Sequence, residues 1–446
     1  MNSIWDVSAE RIQLFYLIVF IVFIYSLYRY RNNGLFVLVV FTFFLGLFVY
    51  LGKEIQNAYR ILTVLFGLYL AQKTNSLSLI SKHPFLTFSF FLFSVVFLLT
   101  SFYNGDGFNL LFSQYSRYFL LYIFFLILRK KMPNPLFREK MNQLFYFLIL
   151  VQIILSIVKI IITGPMESIV GSLSFSGGSY AAIFPLLAFI FLWMYREGKF
   201  VKKDWVFILG LLFIGFVNYK RALWFMMPIV IGLFMFYVQK RKVPLRLLLI
   251  SALLIPLIFY LGVRLNPTLN KEKKLWGNFD LGYVLDYTKE YSFGKEEDYS
   301  ETKTGVGRGG ASISLFRNLL TWNLTKEDWI GYGLTLMYVD APIDDQYLKE
   351  MLNINSIGSA SGFIQSYVVF GFLGVFVTLL YVISFLVQIK NNRIRYILIG
   401  IFCWEYFLYT GHILREPALS FLFIYMILYS NLIWEKSTPL VVVKNV

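Results

Sequence analysis

The chain has 446 residues, of which 58% are apolar, 20% are aromatic and 15% are charged, and its formal net charge is +16. Apolar surface on this scale exceeds what a soluble core needs, and apolar runs of about 18–20 residues recur, which predicts helices that cross a membrane. A β-barrel would instead show short alternating strands. The sequence therefore predicts an all-α polytopic membrane protein.

The positive net charge does not indicate a nucleic-acid partner. Most of the Lys and Arg residues lie in short connections between apolar runs, where positive charge sets the orientation of a membrane protein. We therefore expect membrane lipids, and no nucleic acid, as partners. The single cysteine, Cys403, lies in an apolar run, so no intramolecular disulfide can form.

About thirteen apolar segments qualify as spans, so the prediction is about 12–14 transmembrane helices. Basic residues mark every second connection, while connections such as 102–109 and 163–178 contain no Lys or Arg. By the positive-inside rule the basic connections are cytoplasmic, which predicts an external N-terminus and a cytoplasmic C-terminus. The predicted spans are 12–27, 35–51, 61–71, 85–101, 111–128, 144–162, 181–195, 205–217, 222–238, 247–263, 363–387, 397–409 and 419–433.

One polar segment interrupts this pattern. Residues 266–360 hold fourteen of the twenty-five carboxylates but ten of the forty-one Lys and Arg residues. A connection this long in a compact protein is usually functional or disordered. We expect an N-terminal bundle of about ten spans (1–264), a large external loop with short helices (265–360), and about three C-terminal spans with a cytoplasmic tail (361–446).

The loop carries signals of local structure. The segment 312–323 places apolar side chains along one side of a helix that carries Arg317. Thr325 and Asp328 have the spacing of a capping box, which predicts that a helix begins there. Gly331-Tyr332-Gly333 then predicts a turn.

Ionisable residues collect at the predicted external ends of the spans. A charge in hydrocarbon costs several kcal/mol unless it is paired or functional, so this clustering needs a cause. One cause is an anionic headgroup held at the outer leaflet, because the planar fork of arginine matches phosphate geometry. The residues in this set are Arg60, Arg117, Lys159, Lys220, Arg221, Arg264, Glu405, His412, Arg415 and Glu416.

Several of these residues also have a structural interpretation. Arg60 and Arg264 can extend from helix ends to the interface, as long basic side chains do. Glu405 and Arg117 can form a buried ion pair. His412 is as compatible with an interfacial side chain as with catalysis. No metal-ligand spacing or Gly-rich phosphate loop is evident, so we expect neither a metal nor a cofactor.

Three motifs follow the order found in the O-antigen ligase and polymerase family. Asn218-Tyr-Lys-Arg221-Ala-Leu-Trp224 resembles the arginine motif that opens a span in that family. Trp329-Ile-Gly331-Tyr-Gly333 resembles its short Gly-x-Gly turn late in the external loop. The segment 361–374 resembles the part that ends the loop and enters the next span.

This resemblance implies a GT-C-like, metal-independent glycosyltransferase at the outer leaflet of the bacterial plasma membrane. Its substrates would be sugar chains carried on undecaprenyl pyrophosphate. The motif arginine falls on Arg221, and the family's second arginine falls on Arg317 or, less well, on Arg308. Ala360 and Ser361 stand where the ligases carry a His-Asn pair, which favours the polymerase branch.

The implied chemistry suggests roles for these residues. A pyrophosphate leaving group needs charge stabilisation, which a pair such as Arg221 and Arg317 would supply. The attacking sugar hydroxyl benefits from a general base, for which the candidates are His412, Glu416, Asp340, Asp344 and Asp345. The residues expected to bind the substrate are Arg117, Lys220, Arg264, Arg308, Gly331, Gly333, Asp344 and Asp345.

We therefore predict a polymerase that joins undecaprenyl-pyrophosphate-linked repeat units into O-antigen or exopolysaccharide. A chain-length regulator and a flippase of the same pathway would be its protein partners. Two alternatives stay open: an O-antigen ligase or other polyprenyl-phosphate-dependent glycosyltransferase, and a polysaccharide transporter or flippase. A transporter predicts a central polar cavity, often with internal repeats, whereas here the polar residues collect at one face and no repeat is evident.

Overall fold

The structure is a computed structural model, and it shows helices with short 3₁₀ and π segments and no strand within the ranges it describes. The structure describes residues 8–164, 169–174, 180–218, 221–238, 256–257, 259–264, 269–274, 276–293, 308–319, 324–337, 346–352, 360–390 and 392–437.

The chain before residue 239 forms a helical bundle. Asparagine is the N-cap residue of two of its helices. The Asn33 side chain accepts a hydrogen bond from the N–H of Leu35, and the Asn134 side chain accepts one from the N–H of Leu136. The helices are α1 (Ala9–Tyr30), α2 (Gly34–Phe43), α3 (Leu45–Tyr50), α4 (Lys53–Lys73), α5 (Pro84–Tyr103), α6 (Phe108–Lys131), α7 (Pro135–Thr163), α8 (Tyr180–Arg196), α9 (Lys202–Val217) and α10 (Arg221–Gly232), which continues as a π-helical stretch, Leu233–Val238.

The polar loop contributes short helices and the C-terminal part longer ones. In the loop they are α11 (Leu281–Phe293), α12 (Arg308–Leu319), α13 (Lys326–Ile330) and α14 (Gln346–Leu352). After the loop come α15 (Gly362–Leu386), α16 (Asn392–Cys403) with its π-helical continuation Trp404–Leu408, α17 (His412–Arg415) and α18 (Pro417–Ser437). The predicted capping box is confirmed, because Thr325 and Asp328 make both of its hydrogen bonds at the start of α13.

Described helices cover twelve of the thirteen predicted spans. Of the other, 247–263, residues 256–257 and 259–263 are described, and they are helical. The segment 35–51 is not one helix as predicted, because Phe44, with φ −112° and ψ 24°, separates α2 from α3. Five described helices are long and apolar enough to cross a membrane, namely α1, α5, α6, α7 and α15, while α2, α8 and the part Pro417–Leu432 of α18 are apolar but shorter.

Helices α5 and α6 run in opposite directions. The hydroxyl of Ser94 lies 2.7 Å from that of Tyr115, and the hydroxyl of Thr87 lies 3.0 Å from that of Tyr122, so α5 and α6 are antiparallel. Therefore α5 ends and α6 begins at the same end of the bundle. Residues 324–337 of the polar loop pack there, and we call it the loop end.

The second half of the polar loop packs into the main core. Leu315 of α12, Leu334 and Leu348 of α14 are buried in the same hydrophobic cluster as the bundle helices. Of the apolar side predicted for 312–323, Leu315 is buried, whereas Phe316 is 55% exposed. A separate small cluster forms around the first half of the loop and consists of Val263, Leu269, Val284 and Tyr287.

The outer side of the bundle is apolar. On α1, the side chains of Leu17, Ile21 and Tyr28 are 57%, 60% and 63% exposed. A continuous apolar face of this kind would drive association in water, whereas in a bilayer it is the surface that contacts lipid.

Candidate functional site

The glycine turn of the polar loop docks on a break in α15. Gly371 has φ 65° and ψ −168°, which interrupts the helix. The N–H groups of Tyr332 and Gly333 donate to the carbonyl groups of Val368 and Val369, at 2.8 and 3.3 Å. The turn therefore pairs with backbone groups of α15 at the point where the helix breaks.

Only glycine fits at the two predicted glycine positions of this turn. Gly331 has φ +96°, and a Cβ atom there would lie 2.2 Å from the carbonyl oxygen of Val369. Gly333 has φ +101°, and its Cβ would lie 2.9 Å from the Asn104 side chain. The structure gives both residues a docking role.

The chain segment between α5 and α6 holds the same turn from the other side. The Asn104 amide donates to the carbonyl oxygen of Gly331 at 3.1 Å, and the carboxylate of Asp106 accepts from the N–H of Leu334 at 2.9 Å. Burial raises the pKa of the Asp106 carboxyl, and the hydrogen bond from Leu334 partly opposes this effect. Bundle and loop are thus joined by backbone and side-chain contacts on two sides.

Two arginines and a glutamate meet at the loop end, between α6 and α17. The Nη1 atom of Arg117 lies 3.7 Å from Glu416 Oε1 and donates to the carbonyl oxygen of Arg415 at 3.3 Å. The side chains of Arg117 and Glu416 are 16% and 14% exposed. Arg415 donates to Gln365 Oε1, and the Gln365 amide donates to the carbonyl oxygen of Ala360 at 3.2 Å.

Positive charge is concentrated around these residues. Arg60 lies on α4, which packs against α6, the helix that carries Arg117. We call Arg117, Arg415 and Glu416 the arginine cluster. Burial lowers the pKa of the Arg415 side chain, and the like charge of Arg117 acts in the same direction, but an arginine stays protonated. Such a cluster favours a bound anion.

Glu405 does not form the predicted ion pair with Arg117. Its carboxylate is fully buried and accepts hydrogen bonds from the backbone N–H groups of His412 and Ile413, where α17 begins. A carboxylate at a helix start pairs with N–H groups that have no partner within the helix. That prediction is therefore wrong, because Arg117 faces Glu416 instead.

His412 and Glu416 lie near Tyr180, the first residue of α8. The ring centres of Tyr180 and His412 are 5.1 Å apart, which places the start of α8 beside α17, and Glu416 directly follows α17. The fold thus brings together three residues that the sequence singled out, Arg117, His412 and Glu416. It adds two that sequence reasoning missed, Tyr180 and Gln365.

The helix that opens with Arg221 begins at the same end of the bundle. Trp193 of α8 and Phe234, after α10, have ring centres 5.4 Å apart. Arg393, which follows α15, donates to the carbonyl oxygen of Val238 at 3.3 Å, so the 221–238 stretch ends away from the loop end. Because Trp193 and Phe234 lie equally far from the starts of their helices, α8 and α10 run parallel and begin at one level.

Asn218 fixes the end of α9. Its side chain forms a pair of hydrogen bonds with the backbone of Ile169, accepting from the N–H at 2.7 Å and donating to the carbonyl oxygen at 2.7 Å. A third bond of 2.6 Å joins its amide to the carbonyl oxygen of Ile214. The first residue of the arginine motif thus has a structural role where α9 ends.

Arg264 lies in a different environment. Its Nε donates to the carbonyl oxygen of Gly277 at 3.0 Å, and its guanidinium lies 4.5 Å from the centre of the Trp276 ring. These contacts belong to the first half of the polar loop and involve none of the residues that contact Arg117 or Arg415.

Arg317 lies on α12, and its side chain is exposed. The neighbouring Phe316 stacks on Phe363 with ring centres 5.7 Å apart, near the start of α15. This contact places α12 at the loop end, two residues along α15 from Gln365. Outside the described residues are the side chains of Arg221 and Arg308 and the whole of Lys220, Asp340, Asp344 and Asp345.

A small pocket lies beside the arginine cluster and has room for roughly one water molecule. A space of this size admits a hydroxyl-sized group and excludes a sugar ring. It is lined by Tyr118, Gly362, Gln365, Ser366, Val369, Phe370, Thr378, Tyr406, Gly411, Leu414 and Arg415.

Comparison of the chain with protein-family models gives no match, and comparison with curated protein sequences also gives none. The resemblance to the O-antigen ligase and polymerase family therefore rests on the three sequence motifs.

Proposed function

We propose that this protein is a GT-C-like integral-membrane glycosyltransferase that joins undecaprenyl-pyrophosphate-linked repeat units into a longer chain. It would act at the outer face of the bacterial plasma membrane, with residues 265–360 external. The observation that carries the proposal is the arginine cluster, in which Arg117 and Arg415 are held at the loop end with Glu416 3.7 Å from Arg117.

The cost of placing these arginines together supports an anionic ligand. Like charges within an apolar bundle are unfavourable unless other groups compensate them. A diphosphate supplies several negative oxygens, and the guanidinium fork can bind two of them at once. Each hydrogen bond to a charged group contributes about 1.5–3 kcal/mol.

In the proposed reaction, a hydroxyl of the acceptor sugar attacks the anomeric carbon of the donor chain. The bond between that carbon and the pyrophosphate oxygen breaks, and undecaprenyl pyrophosphate leaves with the electron pair. Arg117 and Arg415 stabilise the charge that develops on this leaving group. Glu416 accepts the proton of the attacking hydroxyl, and its carboxylate lies 3.7 Å from Arg117.

Arg221 and Arg317 keep the roles that the family resemblance implies. The start of α10 lies level with Tyr180, so Arg221 would approach the diphosphate from the bundle. Arg317 would approach it from α12 in the loop, which packs on the start of α15 through Phe316 and Phe363. The proposed site thus takes cations from both bundle and loop.

The test uses cells that lack the gene and are complemented with the wild-type or a variant protein. Wild-type protein should restore a ladder of glycan lengths on undecaprenyl pyrophosphate, whereas Arg117→Ala and Arg415→Ala should leave single repeat units. Normal ladders in both variants, at normal protein abundance, would overturn the role of the arginine cluster.

The site of accumulation separates the alternative functions. Single repeat units at the outer face of cells without the gene support a polymerase. Units confined to the cytoplasmic face would point to a flippase. Full-length polymer that stays on undecaprenyl pyrophosphate and does not reach its final acceptor would point to a ligase. Either of the last two results would overturn the proposal.

A further inference from the structure

Asp328, in α13, is a fully buried carboxylate outside the arginine cluster. Its Oδ2 atom accepts hydrogen bonds from the Thr325 N–H at 2.7 Å, the Thr325 hydroxyl at 3.0 Å and the Tyr347 hydroxyl at 3.2 Å. Its Oδ1 atom accepts from the hydroxyls of Tyr332, at 3.4 Å, and Tyr367. A buried carboxylate is tolerated when several donors surround it in this way.

The three tyrosines come from three different parts of the structure. Tyr332 belongs to the docked glycine turn, Tyr347 to α14 and Tyr367 to α15. Asp328 therefore joins two segments of the polar loop to a bundle helix through one side chain. The capping box explains the bonds with Thr325, but it does not explain why three tyrosine hydroxyls converge on the same carboxylate.

The positions of these partners connect Asp328 to the arginine cluster. Tyr367 lies two residues after Gln365, whose side chain oxygen accepts from Arg415. On the other side, Asp328 lies three residues before Gly331, which packs against the backbone of α15. Loss of the carboxylate would remove the hydrogen bond between Asp328 and Tyr367, which fixes the start of α15 to the loop. Gln365, which accepts from Arg415, lies in the same part of the helix.

We propose that Asp328 is a positioning residue that holds the polar loop and the start of α15 in the arrangement in which Gln365 meets Arg415. This inference rests on the proposed function in one respect, because it assumes that Arg415 contacts the diphosphate of the lipid-linked substrate. The arrangement itself does not depend on the reaction and can be measured separately.

The test compares Asp328→Asn with Glu327→Gln in the full-length protein in lipid nanodiscs. Both variants replace a carboxylate by an amide of the same shape in α13. Glu327 is a suitable control, because it meets the Tyr103 hydroxyl at an exposed site, at 3.2 Å. The readouts are the KM for the undecaprenyl-pyrophosphate-linked repeat unit, kcat per folded protein, and amide hydrogen exchange.

We expect Asp328→Asn to raise KM about tenfold, as loss of one buried hydrogen bond to a charged group does, and Glu327→Gln to change it less than twofold. Amide exchange in Gln346–Leu352 should also become faster in Asp328→Asn. Tyr367→Phe, which removes one hydroxyl, should raise KM in the same direction.

A purely structural role would give a different pattern. It would lower the amount of folded protein and speed exchange within the loop, but it would leave KM of the folded fraction unchanged, and this result would overturn the inference. If wild-type protein forms no polymer, the proposed function fails, and amide exchange at the start of α15, around Gln365, then decides. Faster exchange there in Asp328→Asn supports the positioning role, and equal exchange overturns it.

Discussion

Gly331 and Gly371 lie backbone to backbone, with no side chain between them. A Cβ atom on Gly371 would come within 2.7 Å of the Gly331 nitrogen and 2.4 Å of the Trp329 carbonyl oxygen. Both glycines also have positive φ values, 96° and 65°. Both the lack of space and the positive φ therefore require glycine at these two positions, where the polar loop meets α15.

Gly331→Ala and Gly371→Ala should therefore both destabilise the protein. The new methyl group would meet backbone atoms, which cannot rotate away, and the alanine would be held at a strained φ that costs about 1–3 kcal/mol by itself. We expect the thermal unfolding temperature in detergent to fall by several degrees for each variant.

Gly107→Ala is the matched control for this pair. Gly107 lies at the start of α6, where a Cβ atom would meet nothing within 4 Å and φ is −66°. Gly107 is the N-cap residue of α6, where alanine is less favourable than glycine by about 1 kcal/mol, so this variant should lose less stability than either of the other two. Equal unfolding temperatures for all three variants would contradict the docking role of the glycine turn.

Arg117→Ala should lower the rate of polymer formation by about 10- to 100-fold, the equivalent of one charge-assisted hydrogen bond of 1.5–3 kcal/mol. Arg117→Lys should recover little, because an ammonium group cannot bind two phosphate oxygens as a guanidinium does. The rate is measured as glycan elongation per folded protein with a lipid-linked repeat unit.

Arg29→Ala gives the comparison at the opposite end of the bundle. Arg29 is in the last turn of α1 and lies over the Phe147 ring at 4.5 Å, so it tests the loss of an arginine that packs on an aromatic ring. Elongation should stay within twofold of wild type. If Arg29→Ala and Arg117→Ala lower the rate equally, the effect reflects membrane packing and not diphosphate binding.

Much of the fold could be predicted from the sequence, because long apolar runs and alternate basic connections are local signals. The helix breaks could not be predicted in this way. The break at Phe44 leaves the Phe43 carbonyl to accept from Gln152 and Ser172, which are more than a hundred residues away. Local periodicity contains no information about partners so distant.

The candidate site was predictable in its charges and not in its contacts. Arg117, His412 and Glu416 stood out because ionisable residues are rare beside apolar runs. Gln365 and Tyr180 did not stand out, because their side chains carry no charge at neutral pH. Arg117 and Arg415 are separated by 298 residues, so only the fold shows that they meet.

The predicted topology can be tested with single cysteines in a Cys403→Ser background. A cysteine at Lys326 in α13 should react with a membrane-impermeant maleimide on intact cells, because the polar loop is expected outside. A cysteine at Lys131, at the other end of α6, should react only after the membrane is opened. Labelling of Lys131→Cys and protection of Lys326→Cys would exclude the proposed reaction, which requires an external loop.

Asp106 and Glu327 should make opposite contributions to the pH dependence of stability. Burial raises the pKa of Asp106, so the folded state binds its proton more tightly, and the stability this residue contributes is present in acid and lost as pH rises through the folded-state pKa. The pKa of Glu327 is lowered, first by a backbone hydrogen bond, so its contribution is present above the unfolded-state value and lost as pH falls. We therefore compare unfolding temperatures as the pH rises from about 3.5 to about 7. The difference between wild type and Asp106→Asn should decrease, and the difference between wild type and Glu327→Gln should increase. Parallel trends for the two variants would contradict the assignment of Asp106 as a partly buried carboxyl that fixes Leu334.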